Sequence, residues 1–225
     1  MLERKGYMRV AILDSGIFPH IDLKEKIIYG KNFTSEGNSQ NLDDNNGHGT
    51  HIAGIIHSIS ADTELLAIKI LDRYGKGDTD DITEAIYYAI DKNADIINIS
   101  ISFEDEDEEI KKAIQLAIDK NIVVVCASGN NKKIEYPAKY ALSVGSLDHN
   151  GNISNFCSKD CDIYAVGEDV KSTYLNDSYE VLTGTSMATA AVTGYIANIL
   201  KNKEDVLKFI EKNKYLKEKA DGEIF

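Results

Sequence analysis

Six short apolar runs set the limits on what this chain can fold into. They lie at 8–14 (MRVAILD), 64–70 (ELLAIKI), 94–99 (ADIINI), 122–127 (IVVVCA), 141–146 (ALSVGS) and 162–166 (DIYAV). Longer stretches in which apolar residues recur at helical spacing accompany them, at about 48–59, 79–92, 106–120, 187–200 and 203–212. The runs are too short for helices and several are apolar without alternation, which predicts strands covered on both faces. Strands of that kind, joined by helical segments, form parallel sheets with right-handed crossovers. The expected fold class is α/β: a three-layer, doubly wound arrangement around a central, mostly parallel sheet. A hairpin-like segment is expected around 171–183, and the polar stretch 34–46 reads as the least ordered part. No internal repeat or low-complexity linker interrupts the pattern.

A chain of 225 residues with 43% hydrophobic residues can bury one sizeable core. The expectation is a single domain over 1–225, with a short charged tail at 213–225 that frays. A net charge of −12 disfavours nucleic acid as a partner and suits basic substrates. The opening MLERKGYMRVAILD has no apolar signal core, and no run is long enough to span a membrane, so no membrane partner is expected. Of the cysteines, Cys126 sits in an apolar run and reads as a small buried hydrophobe. Cys157 and Cys161 can pair or bind metal, but no His/Cys cluster accompanies them, so no metal site is expected. An odd cysteine count without a disulfide framework points to a reducing compartment, hence the cytoplasm. The alternative is a secreted protein whose signal and pro-segment lie outside these residues.

Three stretches carry chemistry. GTSMATAAVTGYIANIL, Gly184 to Leu200, puts a serine ahead of small and apolar residues at helical spacing: Ala188, Ala191, Val192, Tyr195, Ile196 and Ile199. A serine oxygen at such a helix mouth, with free N–H groups beside it, suits acyl transfer; alternatively it is an N-cap on a packing helix. VAILDSGI, Val10 to Ile17, ends an apolar strand in Asp14, at the sheet edge where sites assemble in open α/β folds. DDNNGHGTHIAGII, Asp43 to Ile56, leads a polar, glycine-containing loop into a helix whose first turn carries His48. Together these supply orienting acid, base and nucleophile in the chain order Asp, His, Ser.

The chain resembles the subtilisin-like serine proteases, the subtilases. The matching segments are DSG at 14–16, HGTHIAG at 48–54, ASGN at 127–130 and GTSMA at 184–188, in the family's order and over about Arg9 to Ile210. The order Asp, His, Ser is that of subtilisin itself. The resemblance implies a subtilisin-like fold and a serine endopeptidase working through an acyl-enzyme, on a peptide or protein substrate and without a cofactor. Asp14 would orient His48, His48 would take the proton of Ser186, and the Asn130 amide with the Ser186 N–H would hold the oxyanion. His51, one turn from His48, would be structural; a metal pair lacks a third ligand. Ser100, Ile101 and Ser102 would pair with extended substrate, with Gly129 beside them.

Departures from the family pattern change the expectations. Ser102 and Phe103 stand where relatives have two glycines, which reshapes the cleft wall. Ile55 to Leu66 passes almost directly to the next strand, where secreted relatives carry a calcium-binding loop, so a strong calcium site is expected to be absent. A weak cation site near Asp160 and Asp162 stays open. Ala190 replaces a proline shortly after the nucleophile, which keeps a peptide ligase or cyclase in play beside hydrolysis; a catalytically silent peptide-binding homologue is the third class. The C-terminal layer is expected to be reduced. Glu135, just before Tyr136-Pro137, would lie at the base of the S1 pocket and select Arg or Lys at P1, as in a dedicated processing protease; otherwise it is a solvent-facing loop glutamate. The run EDEDEE at 104–109 either adds attraction for basic peptides or supplies helix-start acids.

Overall fold

The structure, a computed structural model, describes residues 7–199. The helix expected at 203–212, the tail and the C-terminal layer lie outside the described residues. Seven strands form one sheet: β1 (Arg9–Asp14), β2 (Ile27–Asn32), β3 (Glu64–Lys69), β4 (Ile96–Ile99), β5 (Val123–Ala127), β6 (Leu142–Leu147) and β7 (Ile163–Val166). Their order is β2-β3-β1-β4-β5-β6-β7, and every pairing is parallel. Four helices complete the layers: α1 (His48–Ile59), α2 (Thr79–Asp91), α3 (Glu108–Asp119) and α4 (Thr185–Ile199). A separate antiparallel hairpin, β8 (Val170–Thr173) with β9 (Tyr179–Leu182), leads into α4, in agreement with the hairpin expected around 171–183.

Side-chain alternation along the strands builds two cores. Val10, Ile12, Ala67, Ile96 and Val125 face one way and meet Ile52, Ile56, Ala188, Val192 and Ile196 of α1 and α4. Ala11, Leu13, Ile68, Ile97, Val124 and Cys126 face the other way, against Ile82 and Ile86 of α2 and Ile110 and Ile114 of α3. Each fully buried Ile or Val side chain contributes about 1.5–3 kcal/mol, from strands and helices alike. Ala190 is wholly buried in the first of these cores.

One expectation needs correction. The strand β2 is missing from the expected set: IIYGKN is half-buried and pairs on one side only, so it lacks the apolar run of a central strand. The stretch 34–46 is tied by its own short polar side chains. Asn32 Nδ2 donates to the Glu36 and Asn38 carbonyls at 2.6 and 3.2 Å, and the backbone amides of Gln40 and Asp43 donate to Asn38 Oδ1 and Asn41 Oδ1. Such Asx turns replace ladder bonds without any hydrophobic periodicity.

The strand order places the site. From β1 the chain runs outward to β2 and β3, then crosses back over β1 to β4. Sites in open sheets form at the carboxyl edge beside such a reversal. Asp14 ends β1 there, and β4, which pairs with β1 through Leu13 and Ile99, runs out of the sheet at Ser100.

Candidate active site

Asp14 is fully buried and both its oxygens face His48 Nδ1, at 2.8 and 2.9 Å. Asp14 Oδ1 also accepts the Ser15 N–H at 2.8 Å and its hydroxyl at 3.2 Å. A carboxylate only accepts, so the proton lies on His48 Nδ1 and leaves Nε2 with a lone pair. The approach depends on Gly49: a Cβ there would meet the Gly16 carbonyl at 2.1 Å and Asp14 Cβ at 3.2 Å. Burial works against a charged His48 ring, but the charge of Asp14 and its hydrogen bond outweigh that, and Asp44 adds to them. The net result raises the His48 pKa above the ordinary imidazole value. The side chain remains 26% exposed, so the ring is accessible from the open side.

Several residues that hold this pair carry no motif of their own. Asp44, 3% exposed, caps the start of α1: its oxygens accept N–H bonds from Asn46, Gly47 and Thr50 and the Thr50 hydroxyl, at 2.7–2.9 Å. Lys69, wholly buried at the end of β3, donates to the carbonyls of Ser15 and Asp43 at 3.0 and 3.1 Å and pairs with Glu36 at 3.4 Å. A lysine closing an otherwise apolar run is the one sequence signal for it. His51 is fully buried; its Nε2 lies 3.1 Å from the carbonyls of Val170 and Glu180, and burial holds its pKa low. A neutral ring donating to both carbonyls ties α1 to the β8–β9 hairpin.

Ser186 lies in the first turn of α4, which begins at Thr185. Its hydroxyl donates to the Ser100 carbonyl at 2.9 Å, while Ser100 Oγ donates back to the Ser186 carbonyl at 3.2 Å. Asn98 supports that exchange from within β4: its Nδ2 donates to Ser100 Oγ at 2.9 Å and its Oδ1 accepts the Thr193 hydroxyl at 2.8 Å. Asp14, His48 and Ser186 thus share one sheet edge, although the serine proton points to Ser100 and not to the imidazole. Catalytic hydrogen bonds in unliganded sites are often unformed and tighten with substrate.

Asn130 follows β5. Its Oδ1 accepts the Thr185 N–H and hydroxyl, both at 3.1 Å, which fixes the amide and leaves Nδ2 on the other side. Gly129 precedes it at φ +93°, and a Cβ there would lie 2.2 Å from Glu135 Oε2. Glu135 is 4% exposed and does not face solvent. Its Oε2 accepts the Ser102 hydroxyl at 2.7 Å and its Oε1 the Asn131 amide at 2.7 Å, and its N–H donates to the Ser128 carbonyl at 2.9 Å. Among the described residues it has no cationic partner. The segment Ser100-Ile101-Ser102 is unpaired and ends at a backbone bridge between Phe103 and Tyr136, at 2.8 and 2.9 Å. Glu135 therefore lies between two walls that are clipped together at Phe103.

The acidic run 104–109 does capping work. Asp107 accepts the N–H groups of Glu109 and Ile110 at 2.9 and 3.0 Å, and Glu104 and Glu109 pair with Lys133 and Lys112. Asp162 accepts the Ser143 N–H and hydroxyl at 3.0 and 2.6 Å, and the Asp160 N–H donates to Ser158 Oγ at 3.2 Å. Among the described residues, no group of three or more His, Cys, Asp or Glu side chains is arranged to hold a metal ion. No helix of the described residues is long and apolar enough to cross a membrane.

Residues 6–220 match the subtilase family. The "Intracellular serine protease" of Paenibacillus polymyxa is 37% identical over 215 residues, covering 85% of this chain and 66% of that protein. The "Major intracellular serine protease" of Bacillus subtilis (strain 168) is 34% identical over 242 residues, covering 97% and 73%. "Subtilisin DY" of Bacillus licheniformis is 37% identical over 223 residues, covering 88% and 80%. The chain thus spans about two thirds to four fifths of the length of these relatives.

Proposed function

The chain belongs to the subtilase family, and from that premise we propose that it is a serine endopeptidase that cleaves peptide bonds after Arg or Lys. Ser186 Oγ leaves the Ser100 carbonyl, gives its proton to His48 Nε2 and attacks the carbonyl carbon of the scissile bond. Asp14 holds the Nδ1–H tautomer and stabilises the imidazolium that forms. The oxyanion is met by the Ser186 N–H in the first turn of α4 and by Asn130 Nδ2, whose orientation Thr185 sets. His48 then protonates the leaving amine, and a water deprotonated by the same nitrogen releases the acid. The substrate backbone lies along Ser100, Ile101 and Ser102, opposite Gly129.

The observation that carries the basic preference is the Glu135 carboxylate, 4% exposed and held only by neutral donors. A buried anion costs several kcal/mol without a cation, a cost of about that order falling when one arrives. A carboxylate has more lone pairs than the two donors use, so an incoming guanidinium finds free acceptors and can bind bidentately. Profiling with a diverse peptide mixture should therefore give Arg and Lys at P1. In Glu135→Gln, kcat/KM for those peptides should fall by roughly 10- to 150-fold, the span of a hydrogen bond to a charged group, with Leu- and Phe-P1 peptides nearly unchanged. An apolar P1 preference in the wild type, or an equal loss for both classes, removes Glu135 from specificity.

The cytoplasm is the proposed place of action. Two relatives are named intracellular, and Cys126, Cys157 and Cys161 all carry free thiols. Calcium is not proposed as a stabiliser. The connection from α1 to β3 is only residues 60–63, and Asp62 is its single carboxylate, short of the six to eight oxygens calcium takes. Without a ligand set there is no linkage term from the ion. Thermal midpoints in chelator and in millimolar calcium should coincide; a large rise with calcium would reveal a site elsewhere in the chain.

A further inference from the structure

Cys157 and Cys161 lie in the turn between β6 and β7, both 5% exposed, and neither takes part in the proposed hydrolysis. Both sulfurs lie against one carbonyl, that of Ser158. Cys157 Sγ also accepts the Ser146 N–H at 3.2 Å, and the Ser158 carbonyl lies 3.3 Å from Cys157 Sγ and 3.6 Å from Cys161 Sγ. The Tyr164 hydroxyl closes the turn, accepting the Cys161 N–H at 3.0 Å and donating to the Ser158 carbonyl at 3.1 Å. The surrounding donors are unequal. Cys161, Ser146 and Ser128 all stabilise a Cys157 thiolate and lower its pKa despite burial, whereas Cys157 and burial push Cys161 up. Cys157 Sγ has the Ser146 N–H and the Ser128 hydroxyl beside it, donors that favour a thiolate, and Cys161 Sγ shares the Ser158 carbonyl with it, an arrangement suited to an attacking and a resolving thiol.

This turn supports the segment that carries Asn130. Cys157 Sγ is 3.8 Å from Ser128 Oγ, and the neighbouring Phe156 carbonyl accepts the Lys132 N–H at 2.8 Å. Residues 128 and 132 bracket Gly129 and Asn130. Joining the sulfurs at about 2.05 Å replaces the present contacts of at least one of them; for Cys157 Sγ those contacts are Ser128 Oγ and the Ser146 N–H.

We propose that Cys157 and Cys161 are a reversible redox modification site, closed to a disulfide by a hydroperoxide and coupled to the hydrolytic site through Ser128. The Cys157 thiolate attacks one peroxide oxygen; the O–O bond breaks, giving a sulfenic acid and hydroxide, which takes a proton to become water. Cys161 sulfur then attacks the sulfenic sulfur; the S–O bond breaks and a second water leaves. Two thiols lose two electrons and the peroxide gains them, so the step balances without a further reactant. A dithiol reductant reverses it by exchange. Cys126, fully buried in β5 with its pKa raised by burial, stays reduced.

The site is tested in two arms, of which the first needs no activity and so fails separately from the proposed hydrolase function. Ser186→Ala protein, which cannot digest itself under that proposal, is treated with stoichiometric hydrogen peroxide, alkylated and mapped by non-reducing peptide mass spectrometry. The expected result is loss of two of the three thiols and one linked species, Cys157 to Cys161. Loss of no thiol, a sulfinic acid at Cys157, or a link through Cys126 overturns the assignment. In the second arm the active chain is oxidised and assayed. Turnover should fall by roughly tenfold and return with dithiothreitol, less than the roughly 100- to 1,000-fold cost of removing an oxyanion donor outright in subtilisin, a member of this family. Cys157→Ser, which lacks the attacking sulfur, should be insensitive to the same treatment, whereas Cys161→Ser should be oxidised at Cys157 and give no linked species. A disulfide that forms with turnover unchanged overturns the coupling through Ser128.

Discussion

Ser186→Ala should lose kcat by about a million-fold and all labelling by a serine-directed phosphonylating reagent. That magnitude is the one measured in subtilisin itself, a member of this family, and the proposed triad carries it over to this chain. The physical ground is that the other groups act through the nucleophile. With Oγ gone, His48 has no proton to take and Asn130 no tetrahedral oxygen to meet, so removing a second member costs little more. The substitution also frees the Ser100 carbonyl from its 2.9 Å donor. A neutral hydrogen bond of that kind is worth about 1 kcal/mol, so the melting midpoint should move only a little. A small thermal shift with a very large loss of turnover separates chemistry from folding. Residual turnover within about tenfold of wild type, or labelling retained at another serine, would sink the assignment of Ser186 as nucleophile.

The reach of the sequence differs from element to element for physical reasons. β1, β3, β4 and β5 are covered by helices on both sides, so their residues had to be apolar almost without a break. β2 was invisible because IIYGKN breaks its apolar run with glycine, lysine and asparagine, whereas β7, the opposite edge strand, keeps the short apolar run IYAV. The serine, histidine and aspartate positions stood out because a helix mouth, a glycine-flanked turn and a strand end each constrain the neighbouring residues. Lys69 and Asn98 did not, since what they do depends on partners far away in sequence, and Asp44, whose partners are the nearby Asn46, Gly47 and Thr50, was one polar residue among many in its loop. Lys69 reaches back to Ser15, and Asn98 forward to Thr193. The acidic run 104–109 shows the opposite failing: a conspicuous feature whose first demonstrable role is local, the Asp107 cap of α3.

Asp14→Asn should lower kcat by about 10,000-fold, the cost of the equivalent change in a serine protease of unrelated fold, and should move the acid limb of the pH profile downward. The hydrogen bonds dictate which way the new amide sits. Asp14 Oδ1 accepts the Ser15 N–H at 2.8 Å, a demand only the amide oxygen of an asparagine can meet, so its NH₂ takes the place of Oδ2, 2.9 Å from His48 Nδ1. The amide oxygen, at the Oδ1 position, stays 2.8 Å from Nδ1, so a donor and an acceptor both face that nitrogen; whenever Nδ1 accepts from the amide, the proton sits on Nε2 and the lone pair that would receive the Ser186 proton is gone. In the wild type, burial lowers the His48 pKa and the Asp14 charge more than reverses it. Without that charge burial prevails, opposed only by Asp44, and the pKa falls. The stability has a matching sign. A histidine whose folded pKa is raised adds stability that is fully present below its unfolded pKa and is lost as pH rises through the folded value. The midpoint difference between wild type and variant should therefore have an acid-side component that shrinks across that window. An acid limb left where it was, or activity within about tenfold of wild type, would show that Asp14 does not set the state of His48.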